Sequence, residues 1–271
     1  ASGQTQAAER LLLEEYESYD DKIDTYAMLL LESLCFIYLN SGQLEQTRQI
    51  AQVLLQAANR SGVAINKNWG NWFTGLTSYH RNELETAAQH FSQIFKNRYT
   101  AQIATYRDAV ADLALMHQIK GERPDAWQMV ESISQFDLEQ TGREDNRTRS
   151  LRARLFLIQG DMEGAGNWVD SITGPPPDMA LLWLEEPHVT RVRVLLARGS
   201  DTDLRLAGQI SDILIEIADR THNTRFQIEL LALRALVLDA QGEICQASAE
   251  LKQAVDLARP GGFIRVFIDL G

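Results

Sequence analysis

The chain has 271 residues, of which 26 are Lys or Arg and 37 are Asp or Glu, so its formal net charge is −11. This balance argues against direct contact with nucleic acid, because neutralising phosphates requires clustered basic residues. Hydrophobic residues make up 45% of the chain and charged residues 23%, which is typical of an ordinary soluble, folded protein.

Membrane insertion and a disulfide framework are also excluded. The longest apolar stretch, Ala27 to Leu39, is interrupted by polar residues and is too short to span a bilayer. The first residues do not resemble a signal peptide. Two cysteines, Cys35 and Cys245, cannot form a disulfide framework. We therefore expect both to be reduced and buried in a cytoplasmic protein.

A short pattern recurs along the whole chain. It consists of Gly or Asn, a small residue five positions later, and an apolar residue four positions after that. Its first residues, spaced 39–43 apart, are Gly3, Gly42, Asn82, Gly121, Gly160, Gly199 and Gly242, and the copy at Gly199 has a longer turn. A period of this length indicates one supersecondary unit repeated along the chain.

Each copy predicts two antiparallel helices around a tight turn. Apolar residues such as Leu30 and Leu34 precede the turn at helical spacing, and glycine ends the helix in the left-handed conformation. In chain order, the pattern predicts a lone helix from Gln4 to about Ser18 and then six helix pairs. The start of a further helix is predicted from Phe263 onward.

Stacked pairs of this kind bury a continuous core and curve into a superhelix. We therefore predict an all-α fold, a right-handed superhelical solenoid with six full helix pairs and partial units at both ends. Residues 1–271 would form a single repeat domain, and the incomplete end units indicate a fragment of a longer protein. Pro175-Pro176-Pro177 is predicted to be a stiff connection between two units.

The concave groove of such a superhelix is its usual binding surface, and the first helix of each pair lines it. The repeat pattern resembles the tetratricopeptide repeat, in which the inward positions lie thirteen, ten, six and three residues before the turn, and we count back from each turn accordingly. The candidate ligand-binding residues selected in this way are Trp69, Trp72, Tyr79, Arg147, Arg154, Glu186, Arg193 and Glu229.

The aromatic candidates have two interpretations. Trp69, Trp72 and Tyr79 would form a flat platform on which a sugar face or an aromatic ligand stacks. Tryptophans at helical spacing also pack in cores, and the sequence leaves both interpretations open.

The charged candidates also have two interpretations. Arg154 and Arg193 occupy equivalent positions in successive units and could hold a carboxylate or phosphate by forked hydrogen bonds. Alternatively, Glu186 and Glu229 neutralise these arginines in an internal network of ion pairs.

Residue patterns typical of catalysis are missing from the sequence. No pair of the five histidines has the spacing of a helical zinc site. No Gly-x-Ser-x-Gly elbow marks a serine nucleophile. We predict that the chain is not an enzyme and has neither catalytic nor metal-binding residues.

The repeat resembles the tetratricopeptide repeat, with units longer than that family's usual length. Its last copy matches best, with Gly242, Ala247, Leu251, Ala254 and Pro260 in the order of the tetratricopeptide consensus.

A more particular resemblance lies at the C-terminal end, in Pro260-x-Gly262-Phe-x-Arg265-x-Phe267-x-Asp269. This segment is similar to one in the large ATP-binding LuxR-type, MalT-like transcription regulators. Three further stretches look like the helical sensor region of that family, namely Asn82-x-Leu84-x-x-Ala87-x-x-Phe91, Gly160-Asp161-x-x-x-Ala165-x-x-Trp168 and Arg191-Val-Arg193-Val-Leu-Leu-Ala197-Arg-Gly199.

This resemblance implies a sensor and protein-interaction region that binds a small-molecule effector or a regulatory protein in its concave groove. It also implies self-association of the active regulator. ATP would bind in a separate upstream module, because this chain has no Gly-x-x-x-x-Gly-Lys phosphate loop. The alternative is a stand-alone tetratricopeptide scaffold that binds peptide or protein partners.

Overall fold

The computed structural model describes residues 5–20, 22, 24–176, 178 and 182–270. Within these residues the chain forms fourteen α-helices and no strand. The helices are α1 (Thr5–Ser18), α2 (Thr25–Asn40), α3 (Leu44–Ser61), α4 (Ala64–His80), α5 (Leu84–Lys96), α6 (Ile103–Ile119), α7 (Arg123–Thr141), α8 (Asn146–Ile158), α9 (Met162–Asp170), α10 (Pro187–Arg198), α11 (Asp201–Arg220), α12 (Thr224–Ala240), α13 (Ile244–Gly261) and α14 (Arg265–Ile268).

Helices α2 to α13 form the six predicted pairs, with a turn at each of the six predicted positions from Gly42 to Gly242. The longer turn expected at Gly199 is wrong, because α10 ends at Arg198 and α11 begins at Asp201. The three extra residues lie in the start of α11 instead. Helix α1 packs on α2, and α14 follows the last pair. The all-α repeat fold is therefore confirmed. The predicted turn at Gly3 and the helix start at Gln4 lie outside the described residues.

The turns within pairs share one backbone conformation. Gly42 has φ 75° and Asn82 has φ 64°, both in the left-handed region. At the first turn the amide of Gln43 donates to the carbonyl of Tyr38 at 2.8 Å. This carbonyl lies in the last turn of α2 and has no donor partner within the helix, so the bond satisfies it. Asparagine replaces glycine at the second turn because it tolerates this conformation better than most residues.

The small residue of the pattern lies where the paired helices cross. This position is buried in all six units, at Thr47, Ala87, Ala126, Ala165, Ala207 and Ala247. The following apolar position is buried in the earlier units, but Leu251 in the last unit is 46% exposed. Among the described helices, α13 packs mainly on α12, so no further unit covers its outer face.

The exposed face of α13 corrects one expectation. Cys35 is buried on α2, as predicted, but Cys245 is exposed and not buried. Cys245 lies in the first turn of α13 beside the exposed Ile244. The repeat pattern fixes the turn but does not indicate which side of the last helix is left without a neighbour.

The first helices of successive pairs contact one another in order, from α2 through α4, α6, α8 and α10 to α12. The array then closes on itself, because α12 contacts α2 and α14 contacts α4. The amide of Ile264 donates to the carbonyl of His80 at 2.9 Å across this contact. A Cβ atom on Gly261 would lie 2.3 Å from the carbonyl oxygen of Gly42, so the two turns touch directly.

Hydrophobic packing supports the closure. The core of the first four units includes Phe263 and Val266 from the C-terminal end. A second core cluster joins α9 to α12. The last helices are therefore packed against the first ones and do not extend away from them.

The connection between α9 and α10 contains no helix in its described residues. Pro175 and Pro176 lie there, between two units as predicted, whereas Pro177 lies outside the described residues. Residues 182–186, which we call the inner segment, lie against the first helices.

Candidate functional site

The aromatic candidates lie on α4 inside the ring of first helices. Trp72 and Tyr79 are fully buried, and Trp69 is 9% exposed. The rings of Trp69 and Trp72 meet edge to face at 86°, with centroids 5.6 Å apart. These two rings therefore do not form a single flat surface, and both also pack on Phe36.

The inner segment covers this aromatic cluster. Trp183 stacks on Trp69 with ring centroids 6.4 Å apart and meets the edge of Trp72 at 5.5 Å. The guanidinium of Arg147, on α8, lies 5.0 Å from the centre of the Trp183 ring. Trp183 therefore packs from the connection between α9 and α10 into the centre of the superhelix, and not between the helices of a pair.

A buried carboxylate anchors the same segment. Asp108, on α6, accepts a hydrogen bond from Trp72 Nε1 at 2.8 Å and another from the amide of Leu184 at 3.0 Å. Arg225, on α12, donates to the carbonyl of Leu182 at 2.7 Å. Burial raises the pKa of Asp108. The aromatic half of the groove is thus filled and held by the chain itself.

The arginine candidates each pair with a carboxylate. Arg193 Nη2 donates to Oε1 of Glu229 at 2.7 Å, as the network interpretation predicted. Arg154 Nη1 donates to Oε2 at 3.1 Å, but this carboxylate belongs to Glu185 and not to Glu186. The network interpretation therefore describes the arginine contacts, with Glu185 as a member that the residue count missed.

Glu186 occupies a different environment. Its Oε1 accepts two long hydrogen bonds, both 3.4 Å, from the amides of Leu182 and Trp183. Burial raises the pKa of Glu186 to about 7. This glutamate therefore caps the inner segment and carries no arginine partner in an ion pair among the described residues.

Two further buried groups near the centre lack hydrogen-bond partners in the described part of the chain. Both oxygens of Asp112 and both ring nitrogens of His80 are in this state. Burial, together with Asp108, raises the pKa of Asp112 well above its usual range. Burial, together with Arg225, lowers that of His80 well below its usual range. Burial therefore disfavours the charged form of both groups.

The other half of the groove contains a pocket between α8, α10, α12 and the C-terminal end. Its volume is about 330 Å³, and we call it the leucine–arginine pocket. Its lining includes Arg154, Arg193, Leu196, Leu233, Leu236 and Asp269. The pocket therefore contains two of the predicted residues, whereas Trp69, Trp72 and Arg147 contact the inner segment instead.

The residue count could have found part of this pocket. Leu196 and Leu236 occupy inward positions, three residues before Gly199 and six before Gly242. Asp269 joins the pocket only because the C-terminal end folds back, where Tyr79 donates to its Oδ2 at 2.7 Å. No local sequence pattern predicts the contact between Tyr79 and Asp269.

One exposed group elsewhere has a spacing that could hold a metal ion. Ligand atoms of His117, Glu122 and Asp125 lie within 4.8 Å of one another at the turn between α6 and α7. His117 Nδ1 lies 2.7 Å from Glu122 Oε2, a contact that spans the turn and not one helix face. Such exposed groups are common on protein surfaces, and no second feature points to an ion here.

Comparison with known proteins places the chain in a family. The family described as "MalT-like TPR region" matches residues 1–271. A search of curated proteins found no relative at a significant level of similarity. None of the helices in the described ranges is long and apolar enough to cross a membrane.

Proposed function

Because the chain belongs to the MalT-like TPR region family, we propose that it is the effector-binding region of a MalT-like, LuxR-type transcription regulator. Membership of the family makes it a sensor and protein-interaction region of tetratricopeptide type. The finer proposal is that a small molecule binds in the leucine–arginine pocket and biases the regulator between inactive and active forms. Such a bias requires the ligand to bind one arrangement of the array more tightly than the other.

One observation carries this proposal. The inner segment fills the aromatic half of the groove, whereas a pocket of about 330 Å³ remains between three successive first helices. This volume lies within the range of small-molecule sites. Side chains from three repeat units line the pocket, so a ligand there would favour one relative placement of these units.

The remaining parts of the proposal follow the family resemblance. The chain acts without catalysis, in the cytoplasm, and its partners are the effector or a regulatory protein and other copies of the regulator. ATP binds in a separate module. We also assign DNA contact to a separate module of the regulator, because the net charge of this chain is −11.

A thermal-shift screen of the purified chain tests the proposal. Sugars, amino acids, nucleotides and organic acids are compared, since any ligand that binds only the folded state raises the melting temperature. We expect at least one class to raise it. We also expect Leu236→Asn, which places an amide in the pocket, to remove that shift.

Leu251→Asn is the matched control. Leu251 is 46% exposed and Leu236 is 38% exposed, so both variants should fold, but Leu251 does not line the pocket. A shift that survives Leu236→Asn, or is lost equally in both variants, would place the effector outside the leucine–arginine pocket.

A further inference from the structure

We propose that the leucine–arginine pocket recognises an amphipathic monocarboxylate, a molecule with a single carboxylate group on an apolar body. This inference deepens the proposed function and rests on it, since it names the chemical class of the ligand for the same pocket.

The wall of the pocket is mainly apolar. Its apolar members are Leu157, Ile158, Leu196, Ala197, Leu233, Leu236 and Leu270. Ile158 and Leu236 are both substantially exposed to water. Covering such surface with an apolar ligand is favourable in proportion to the area removed from water.

Two guanidinium groups supply the polar side of the pocket. The side chain of Arg154 is 5% exposed and that of Arg193 is 9% exposed. A guanidinium carries five N–H donors, and each arginine makes one side-chain hydrogen bond to its glutamate partner. Both arginines therefore have donors beyond those that their ion pairs use.

The Nε atom of Arg193 is a further donor of this guanidinium. It is buried and has no hydrogen-bond acceptor in the described part of the chain. A buried donor without an acceptor is costly, and hydrogen bonds from this guanidinium to a ligand carboxylate would be charge-assisted. Charge-assisted hydrogen bonds of this kind are about twice as strong as neutral ones.

The acidic group at the pocket does not oppose an anion. Asp269 is the one carboxylate among the described lining residues. Its Oδ1 accepts from Arg265 Nε at 2.6 Å, and its Oδ2 accepts from Tyr79. Arg265 thus balances its charge, and its oxygens are already occupied.

The charge count favours one carboxylate and not a dianion. Glu185 and Glu229 already balance the formal charges of the two arginines, although neither lines the pocket, so a ligand is held by the donors that remain free and not by excess positive charge. A single additional negative charge can share the remaining donors. A phosphate dianion would place twice that charge on the same donors beside a largely apolar wall, which is more costly.

Calorimetry with three eight-carbon probes tests the inference. Octanoate, 1-octanol and octylammonium each have eight carbons and differ in the head group; the alkyl chain of octanoate is one carbon shorter, which works against the expected preference. We expect octanoate to bind at least tenfold more tightly than 1-octanol and octylammonium to bind most weakly. The measurements use the purified chain at probe concentrations below micelle formation.

A double variant isolates the head-group contact. Arg193→Gln combined with Glu229→Gln removes the donor and its partner together, so that no buried charge is left alone. It should reduce the preference for octanoate over 1-octanol to less than threefold. The control combines Arg234→Gln with Asp212→Asn, which form a 2.6 Å ion pair outside the pocket. Arg234 also has a buried Nε without an acceptor among the described residues, yet this control should keep the tenfold preference.

The outcomes separate the two proposals. Equal binding of octanoate and 1-octanol, or tighter binding of octylammonium, overturns the carboxylate assignment. If no probe binds but a neutral metabolite gives a thermal shift that Leu236→Asn removes, the inference is wrong and the proposed function stands. If no compound gives a shift that depends on Leu236, both are wrong.

Discussion

Trp72 joins the aromatic cluster to the polar centre of the molecule. Its ring is fully buried and packs on Phe73 and Trp183, and its Nε1 donates to Asp108. A ligand could stack on this ring only after the inner segment had moved. With the inner segment in place, Trp72 therefore stabilises the folded core and is not accessible to a ligand.

Replacing this side chain should be costly. Trp72→Ala is expected to lower the free energy of unfolding by about 3–5 kcal/mol, because it leaves a cavity in a filled core. Urea unfolding followed by circular dichroism measures the change. Trp127→Ala is the control, since Trp127 is only partly buried and packs on Phe156 at the edge of the core. An equal or smaller loss for Trp72→Ala would contradict the packing role.

Glu186 should make stability depend on pH. Its pKa is raised to about 7 in the folded state, so between pH 4.5 and 7 the folded chain binds more protons than the unfolded chain. The stability that this group contributes is therefore fully present below about pH 4.5 and is lost as pH rises through 7. Glu186→Gln should remove this loss, which amounts to at most about 3 kcal/mol.

The measurement compares unfolding free energies of the Glu186→Gln variant and the parent chain from pH 4.5 to 8. Glu32, whose pKa burial also raises to about 7, is present in both chains, so the difference isolates Glu186. We expect the free energy of unfolding of the variant, relative to that of the parent chain, to increase as the pH rises. A constant or shrinking difference would show that Glu186 does not titrate in a buried environment.

At the scale of elements, each helix pair depends on its left-handed turn. Gly121 has φ 79° and Gly42 has φ 75°. A Cβ on Gly121 would meet nothing within 4 Å, whereas one on Gly42 would lie 3.2 Å from Thr224 Cγ2. A substitution at Gly121 therefore tests backbone strain alone, whereas the same substitution at Gly42 also tests the contact between α2 and α12.

This difference predicts unequal effects of the same substitution. Gly121→Ala should cost about 1–2 kcal/mol from the left-handed backbone. Gly42→Ala should cost more, since Thr224 must also move. Thermal unfolding of both variants checks the order, and equal losses would mean that the contact with Thr224 contributes nothing.

The same elements show what sequence can predict. The turns and the pairing of helices follow from local signals, namely a glycine or asparagine, a small crossing residue and an apolar stripe. The inner segment carries no such signal. The position of Trp183 depends on the ring of first helices that surrounds it, and Glu185 enters the ion-pair network through that segment, so counting along the repeat selected Glu186 instead.

At the scale of the whole molecule, the array closes through its C-terminal end. Tyr79 donates to Asp269, and the amide of Ile264 donates to the carbonyl of His80. Phe263 packs in the core of the first four units. The closure depends on curvature accumulated over six units. A repeat pattern read from sequence does not specify that curvature, which is why Asp269 was absent from the candidate residues.

Gly261→Ala should weaken the closure. Its backbone φ is not in the left-handed region, but the new Cβ would lie 2.3 Å from the carbonyl oxygen of Gly42. We expect the amide of Ile264 to exchange with deuterium at least tenfold faster, because its bond to His80 must break. Gly166→Ala, on α9, has open space around the new Cβ and should leave that exchange rate unchanged.

Hydrogen exchange with a ligand from the thermal-shift screen tests the central claim most directly. If the effector binds in the leucine–arginine pocket, amides of α8, α10 and α12 should gain protection, while those of α3 and α5 on the outer side should not. Protection that appears on the outer helices, or on α4 without α8, α10 and α12, would contradict an effector site in this pocket.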